Sequence, residues 1–128
     1  MKKLVFLLLA VMLLTACGQN KEKEQGAVYV NITAEEAKRI MDSEEGYIIL
    51  DVRTQEEYDQ GHIPGATQIS HEEIKEKAEK VLTDKDQLIL VYCRSGRRSK
   101  IAAEVLVELG YTNIKEFGGI IDWPYETE

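Results

Sequence analysis

The 128-residue chain has only two cysteines, two prolines, two histidines and one tryptophan. Two cysteines cannot form a disulfide framework or a four-cysteine zinc site, so no metal site is expected. A basic surplus is missing too: 16 Lys and Arg stand against 23 Asp and Glu, a net charge of −7. Phosphate backbones are held by a positive footprint, so nucleic acid is not an expected partner. No apolar run reaches the roughly 20 residues that span a bilayer as a helix. The composition that remains, 44% hydrophobic and 30% charged, is that of an ordinary globular chain of one-domain length.

The chain opens with Lys2 and Lys3, an 11-residue apolar run from Leu4 to Leu14, and Thr15-Ala16-Cys17. A positive start and a short apolar stretch read as a signal peptide over residues 1–16. The small residues before Cys17 resemble a bacterial lipobox. That resemblance implies cleavage before Cys17 and a lipid on its sulfur, placing the chain on the extracytoplasmic face of the cell membrane. Losing Lys2 and Lys3 with the signal leaves a balance of −9. Such a surface repels anionic lipid, so the anchor alone would hold it. Residues 17–27 are polar and charged after Cys17 and read as a flexible linker.

Residues 28–128 alternate strand and helix patterns. Val28–Ile32 reads as a strand. Thr33 with Glu36 forms a capping box, opening a helix that runs to about Asp42 with Ala37, Ile40 and Met41 inward. Tyr47–Leu50, ending at Asp51, and Leu88–Tyr92 are continuous apolar runs, as in strands covered on both faces. Gln55–Asp59 has the length of one helical turn, and Gly61–Ala66 is a loop. Thr67–Ile69 reads as a short strand. His71–Val81 reads as a helix with Ile74, Ala78 and Val81 on one stripe. Ser99–Leu109 reads as a helix with Ile101, Ala102, Val105, Leu106 and Leu109 inward, stopped by Gly110. Asn113–Phe117 is the last strand. The expected fold class is α/β, a three-layer domain with a central, mostly parallel sheet and helices on both faces.

In such sheets ligands bind beyond the carboxyl ends of the strands. Cys93 stands at such an end, before Arg94-Ser95-Gly96-Arg97-Arg98-Ser99. Three arginines and no acid fall there in an otherwise acidic chain. A short loop before a helix N-terminus can turn its N–H groups toward the sulfur, which favours thiolate over thiol. The same cradle suits an anion above the sulfur. Sulfur transfer and phosphoryl transfer to cysteine both fit that pattern.

Four segments in order resemble the rhodanese family of single-domain sulfurtransferases: Asp51-Val52-Arg53, Gly61-His62-Ile63-Pro64-Gly65-Ala66, Cys93–Ser99, and Gly118-Gly119 with Trp123. The resemblance implies that Cys93 accepts sulfur and cycles through a persulfide. It implies that Arg94, Ser95, Gly96, Arg97 and Arg98 bind the substrate anion, largely by backbone groups, and that Asp51, Arg53 and Ser99 support the loop. It also implies six residues from the cysteine to a closing arginine, both counted, which here is Cys93 to Arg98. The related phosphatases and arsenate reductases carry a loop one residue longer, which would need Arg where Ser99 stands.

The expected activity is therefore sulfane sulfur transfer from thiosulfate or a persulfide donor to a thiol or cyanide, with no cofactor and a monomeric chain. The alternative is a low-turnover sulfur carrier, or a binding or redox module, at the membrane. A Cys-dependent phosphatase or arsenate reductase ranks lower. His62 reads as part of a shaping turn rather than a general base, His71 as solvated, and Trp123 as a packing residue. Arg97 and Lys100 would steer anions if they face solvent. Glu35-Glu36, Glu56-Glu57 and Glu72-Glu73 read as solvated helix faces.

Overall fold

A computed structural model describes residues 28–128; the expected signal peptide and linker, with Cys17, lie outside the described residues. Five strands form one sheet: β1 (Tyr29–Asn31), β2 (Ile48–Asp51), β3 (Thr67–Gln68), β4 (Ile89–Cys93) and β5 (Ile114–Gly119). Their order is β1-β5-β4-β2-β3, and every pairing is parallel. The helices are α1 (Ala34–Ser43), α2 (Gln55–Asp59), α3 (Ile74–Val81) and α4 (Arg97–Glu108), with 3₁₀ turns at His71–Glu73 and Ile120–Asp122. No helix among the described residues is long and apolar enough to cross a membrane.

The sheet divides the core in two, which makes the three layers expected of the α/β class. Side chains alternate along a strand, and β4 shows the consequence. Ile89, Val91 and Cys93 face a core built with Ile74, Ala78, Ala103 and Leu106 of α3 and α4. Leu90 and Tyr92 face the other core, built with Ala37 of α1, Ile63, Phe117 and Trp123. All five β4 residues are buried. This central strand thus places Cys93 at its carboxyl end, on the α4 side.

The caps explain where the helices start. Thr33 Oγ1 accepts from the Glu36 N–H at 3.0 Å, and Glu36 Oε1 accepts from the Thr33 N–H at 2.9 Å. Thr54 and Glu57 repeat this box at α2, at 3.2 and 3.0 Å.

Two inward stripes differ from the sequence expectation. Val81 is exposed, and Leu82 fills the core in its place. Ile101 is exposed as well; α4 instead turns Ser99, Ala102, Ala103 and Leu106 inward. Those four positions follow the i, i+3, i+4, i+7 spacing of one helix face. The face is centred on small residues and begins with a polar one, so hydrophobicity alone misplaces it. α4 also starts at Arg97, two residues before the expected Ser99.

Candidate active site

Only Arg94, Ser95 and Gly96 separate β4 from α4. Gly96 takes φ +106°, a left-handed conformation that side chains disfavour, and this turns its N–H to Cys93 Sγ at 3.0 Å. The Arg94 carbonyl is drawn the opposite way, accepting from the Ile121 N–H at 3.2 Å. Gly119 permits this packing: a Cβ there would collide with the Arg94 carbonyl and with Ser95. The loop is therefore pressed against the end of β5, with Cys93 paired to Gly119 across a bulge.

Cys93 is fully buried beneath this loop, while Arg94 and Ser95 are exposed. Burial pushes the thiol up. Hydrogen bonds from the Ser99 hydroxyl and from the backbone N–H groups of Ser99, Gly96 and Ser95 outweigh it, leaving the thiol below its ordinary value. The N-terminus of the 12-residue α4 adds partial positive charge. The sulfur thus lies on the floor of an electropositive cradle. An open pocket of 480 Å³ beside the loop is lined by Thr54, His71, Glu72, Arg94, Ser95, Arg97 and Arg98, among others; Cys93 itself does not line it.

The six loop residues named from sequence come together here, with different tasks. Arg94 and Arg97 extend into solvent. Lys100 is exposed as well, as the steering role requires. Arg98 does not offer a free guanidinium to an anion. Its Nη1 and Nη2 are bound by Glu57 Oε1 and Oε2 at 2.8 and 2.9 Å. This corrects the reading of Glu57 as a solvated helix residue. The Arg98 hydrogen bond holds the Glu57 carboxyl down, at about 2. Ser99 Oγ lies 3.4 Å from Cys93 Sγ, 3.1 Å from the Gly96 carbonyl and 2.5 Å from Glu116 Oε2.

Asp51 and Arg53 lie behind the loop. Arg53 Nε and Nη2 bind both Asp51 oxygens, at 2.7 to 3.1 Å, and Nη2 also reaches the Gly61 carbonyl at 2.7 Å. Tyr92 donates to Asp51 Oδ2 at 2.5 Å and accepts from the Ile63 N–H at 3.1 Å. Burial first, then the Asp51 bond, pushes the Tyr92 phenol up. This network ties β2, β4 and the 61–66 loop together.

His62 is stacked on Tyr58 at 3.8 Å between ring centroids. Its Nδ1 lies 3.0 Å from the Tyr58 carbonyl. A carbonyl only accepts, so Nδ1 carries the hydrogen and the ring is held within its turn. Trp123 is packed against Phe117 and Tyr125. Among the described residues, no cluster of three or more His, Cys, Asp or Glu side chains is placed to hold a metal ion.

Glu116, Tyr92 and the packing task of Gly119 were not singled out from sequence, and Glu57 was read only as part of a solvated helix face. Thr54-x-x-Glu57 is itself a capping signal and could have marked the start of α2. Nothing in the linear sequence signals the other three tasks.

Comparison with known proteins agrees with this geometry. The thiosulfate sulfurtransferase PspE of Escherichia coli strain K12 is 42% identical over 73 residues, covering 57% of this chain and 70% of that protein. A sulfurtransferase of Allochromatium vinosum is 36% identical over 88 residues, covering 68% and 79% respectively. Among solved structures, an Escherichia coli rhodanese with anions aligns with a TM-score of 0.60 at 38% identity, covering 64% of this chain and 96% of its own. The rhodanese-like domain family matches residues 33–124, and the chain belongs to that family.

Proposed function

We propose that this chain is a rhodanese-type sulfurtransferase that carries sulfane sulfur on Cys93 and is tethered to the outer face of the cell membrane through a lipid on Cys17. The observation that carries the reading is the Cys93 sulfur, buried under a three-residue loop whose N–H groups converge on it. Sulfurtransferase relatives support the reaction class. The Cys93 thiolate attacks the outer sulfur of thiosulfate. A new S–S bond forms, the old one breaks, and sulfite leaves with the electron pair. The persulfide sulfur then rests in the cradle of N–H groups from residues 94–98. A thiol acceptor attacks that outer sulfur, and Cys93 departs as the thiolate it began as. Exposed Arg94 and Arg97 draw the anionic donor to the pocket mouth.

The tether rests on Lys2, Lys3, the Leu4–Leu14 run and Cys17. Stable anchoring needs more than one acyl chain, which a diacylglycerol supplies. A labelled fatty acid should enter the chain in bacterial cells and be absent from Cys17→Ser.

The test of the reaction uses the full chain purified in detergent. Thiosulfate should add about 32 Da to the Cys93 peptide, one sulfur atom on the nucleophile. Cyanide should remove that mass as thiocyanate forms. Cys93→Ser should lose both signals while keeping its fold. Turnover by Cys93→Ser would overturn the assignment. A stable adduct that no thiol or cyanide discharges would favour a sulfur carrier.

A further inference from the structure

Glu116 is a buried carboxylate that the sulfur chemistry leaves without a task. It lies on β5, 2% exposed. It makes no ion pair within 4.0 Å among the described residues. Its Oε2 accepts from the Gly118 N–H at 3.0 Å and from the Ser99 hydroxyl at 2.5 Å. The same hydroxyl oxygen lies 3.4 Å from Cys93 Sγ. A hydroxyl carries one hydrogen. Glu116 Oε2 is nearer than the Gly96 carbonyl at 3.1 Å, so while Cys93 is the thiol the hydrogen lies toward Glu116 and Ser99 Oγ accepts from the thiol. A thiolate needs Ser99 as a donor, and then the Ser99 hydrogen must turn to sulfur. A charged Glu116 would lose its shortest hydrogen bond in a dry site, with no cation to compensate.

We propose that Glu116 is a positioning residue that sets the pH at which Cys93 ionises, by competing with the sulfur for the single Ser99 hydrogen. The step balances with water as the proton acceptor. The Cys93 S–H bond breaks, its proton leaves to water, and the electron pair stays on sulfur. The Ser99 hydrogen turns from Glu116 Oε2 to the new thiolate, and Glu116 keeps only the Gly118 N–H. A charged group at 116 holds Cys93 back as the thiol; a neutral donor there releases it. The inference rests on Cys93 being the nucleophile.

The surroundings leave Ser99 as the connection. α4 contributes Ser99 and, further along, exposed Glu104. β1 contributes Tyr29, whose phenol is pushed up by burial first and then by Glu104 and Glu116. β4 contributes Cys93. Arg98 interacts with the Cys93 charge but is bound by Glu57. Lys115, next to Glu116 on β5, neighbours Glu36 of α1 on the opposite face.

The test is the pH dependence of Cys93 alkylation by iodoacetamide in the full chain, read by peptide mass so that Cys17 is separate. Alkylation reports ionisation whether or not sulfur is transferred, so its outcome is independent of the sulfurtransferase reading. In Glu116→Gln the amide can donate permanently to Ser99 Oγ. The midpoint should fall by about one pH unit, and alkylation below both midpoints should be about tenfold faster. Glu116→Asp keeps the charge but withdraws it by one methylene, and should shift the midpoint the same way by less. In a Ser99→Ala background, Glu116→Gln should change the rate less than about twofold, because the connection is gone. An unchanged or higher midpoint in folded Glu116→Gln or Glu116→Asp would overturn the proposal. A full-sized effect persisting in Ser99→Ala would overturn it too, since Glu116 would then act through space.

Discussion

Two buried carboxylates flank Cys93, on the two strands that pair with β4 and on opposite faces of the sheet. Asp51 ends β2 and is fully enclosed; Glu116 is on β5, 2% exposed. Asp51 is neutralised by a bidentate arginine and further bound by Tyr92 and by the Arg53 N–H at 2.9 Å. Glu116 has a hydroxyl and one backbone N–H. A carboxylate bound by a dedicated cation fixes geometry. One that shares its only side-chain donor with a thiol is coupled to that thiol's ionisation. The same chemical group at the same end of the sheet is thus a bracket on one side of the nucleophile and a competitor for its hydrogen-bond donor on the other.

The sharpest way to break this comparison is to replace each carboxylate with an uncharged side chain and measure unfolding in denaturant. Asp51→Ala strands the buried Arg53 guanidinium, and breaking such a pair costs about 3–5 kcal/mol. Glu116→Gln keeps an acceptor for Gly118 and gains a donor for Ser99, so it should cost no more than about 1.5 kcal/mol. Equal losses would mean that both carboxylates are brackets.

A second substitution asks whether the loop and the Glu116 strand form one unit. Gly119→Ala forces a Cβ into the Arg94 carbonyl, and overpacking of this kind costs about 1–3 kcal/mol. The loop must lift to relieve it. The N–H groups then leave the sulfur, and Cys93 alkylation should move to higher pH. Gly118→Ala meets open space, so it carries only the strain of its φ of +91°, about 1–2 kcal/mol. It should leave the alkylation midpoint in place. If the two variants shift the midpoint alike, the close approach at Gly119 is not what shapes the cradle.

The comparison also shows what a linear reading can reach. Asp51, Arg53 and the Cys93–Ser99 loop were legible because their signals are local: a buried run that ends in polar residues, and an arginine cluster around a glycine. The capping box at Thr33 and the stop at Gly110, with φ +99°, were legible for the same reason. Glu116 was not, because it sits in a strand and meets Ser99 only when α4 folds back over β5. Glu57 meets Arg98 from 41 residues away, so its exposed-helix composition hid its task. Ile101 was misplaced because the inner face of α4 is organised around Ser99, Ala102 and Ala103, and a polar residue inside defeats a hydrophobicity count.

The smallest expected effect concerns Glu57, a partly exposed counterpart to the two buried carboxylates. Its carboxyl is held at about 2, below the ordinary 4.5, first by the Arg98 hydrogen bond and then, against burial, by the Thr54 cap. A depressed folded value means that folding is favoured while Glu57 is charged. The contribution is complete above pH 4.5 and is lost as pH falls from there to about 2. Solvent screening of a pair at the surface limits it to about 1 kcal/mol. Glu57→Gln should therefore unfold slightly more easily than the parent at pH 7, with the two curves converging near pH 2. Arg98, freed from its partner, would move away from the loop, and the Cys93 midpoint should rise by less than one unit because one favourable charge is less well placed. A difference that persists undiminished at pH 2 would show that Glu57 acts by packing and capping alone.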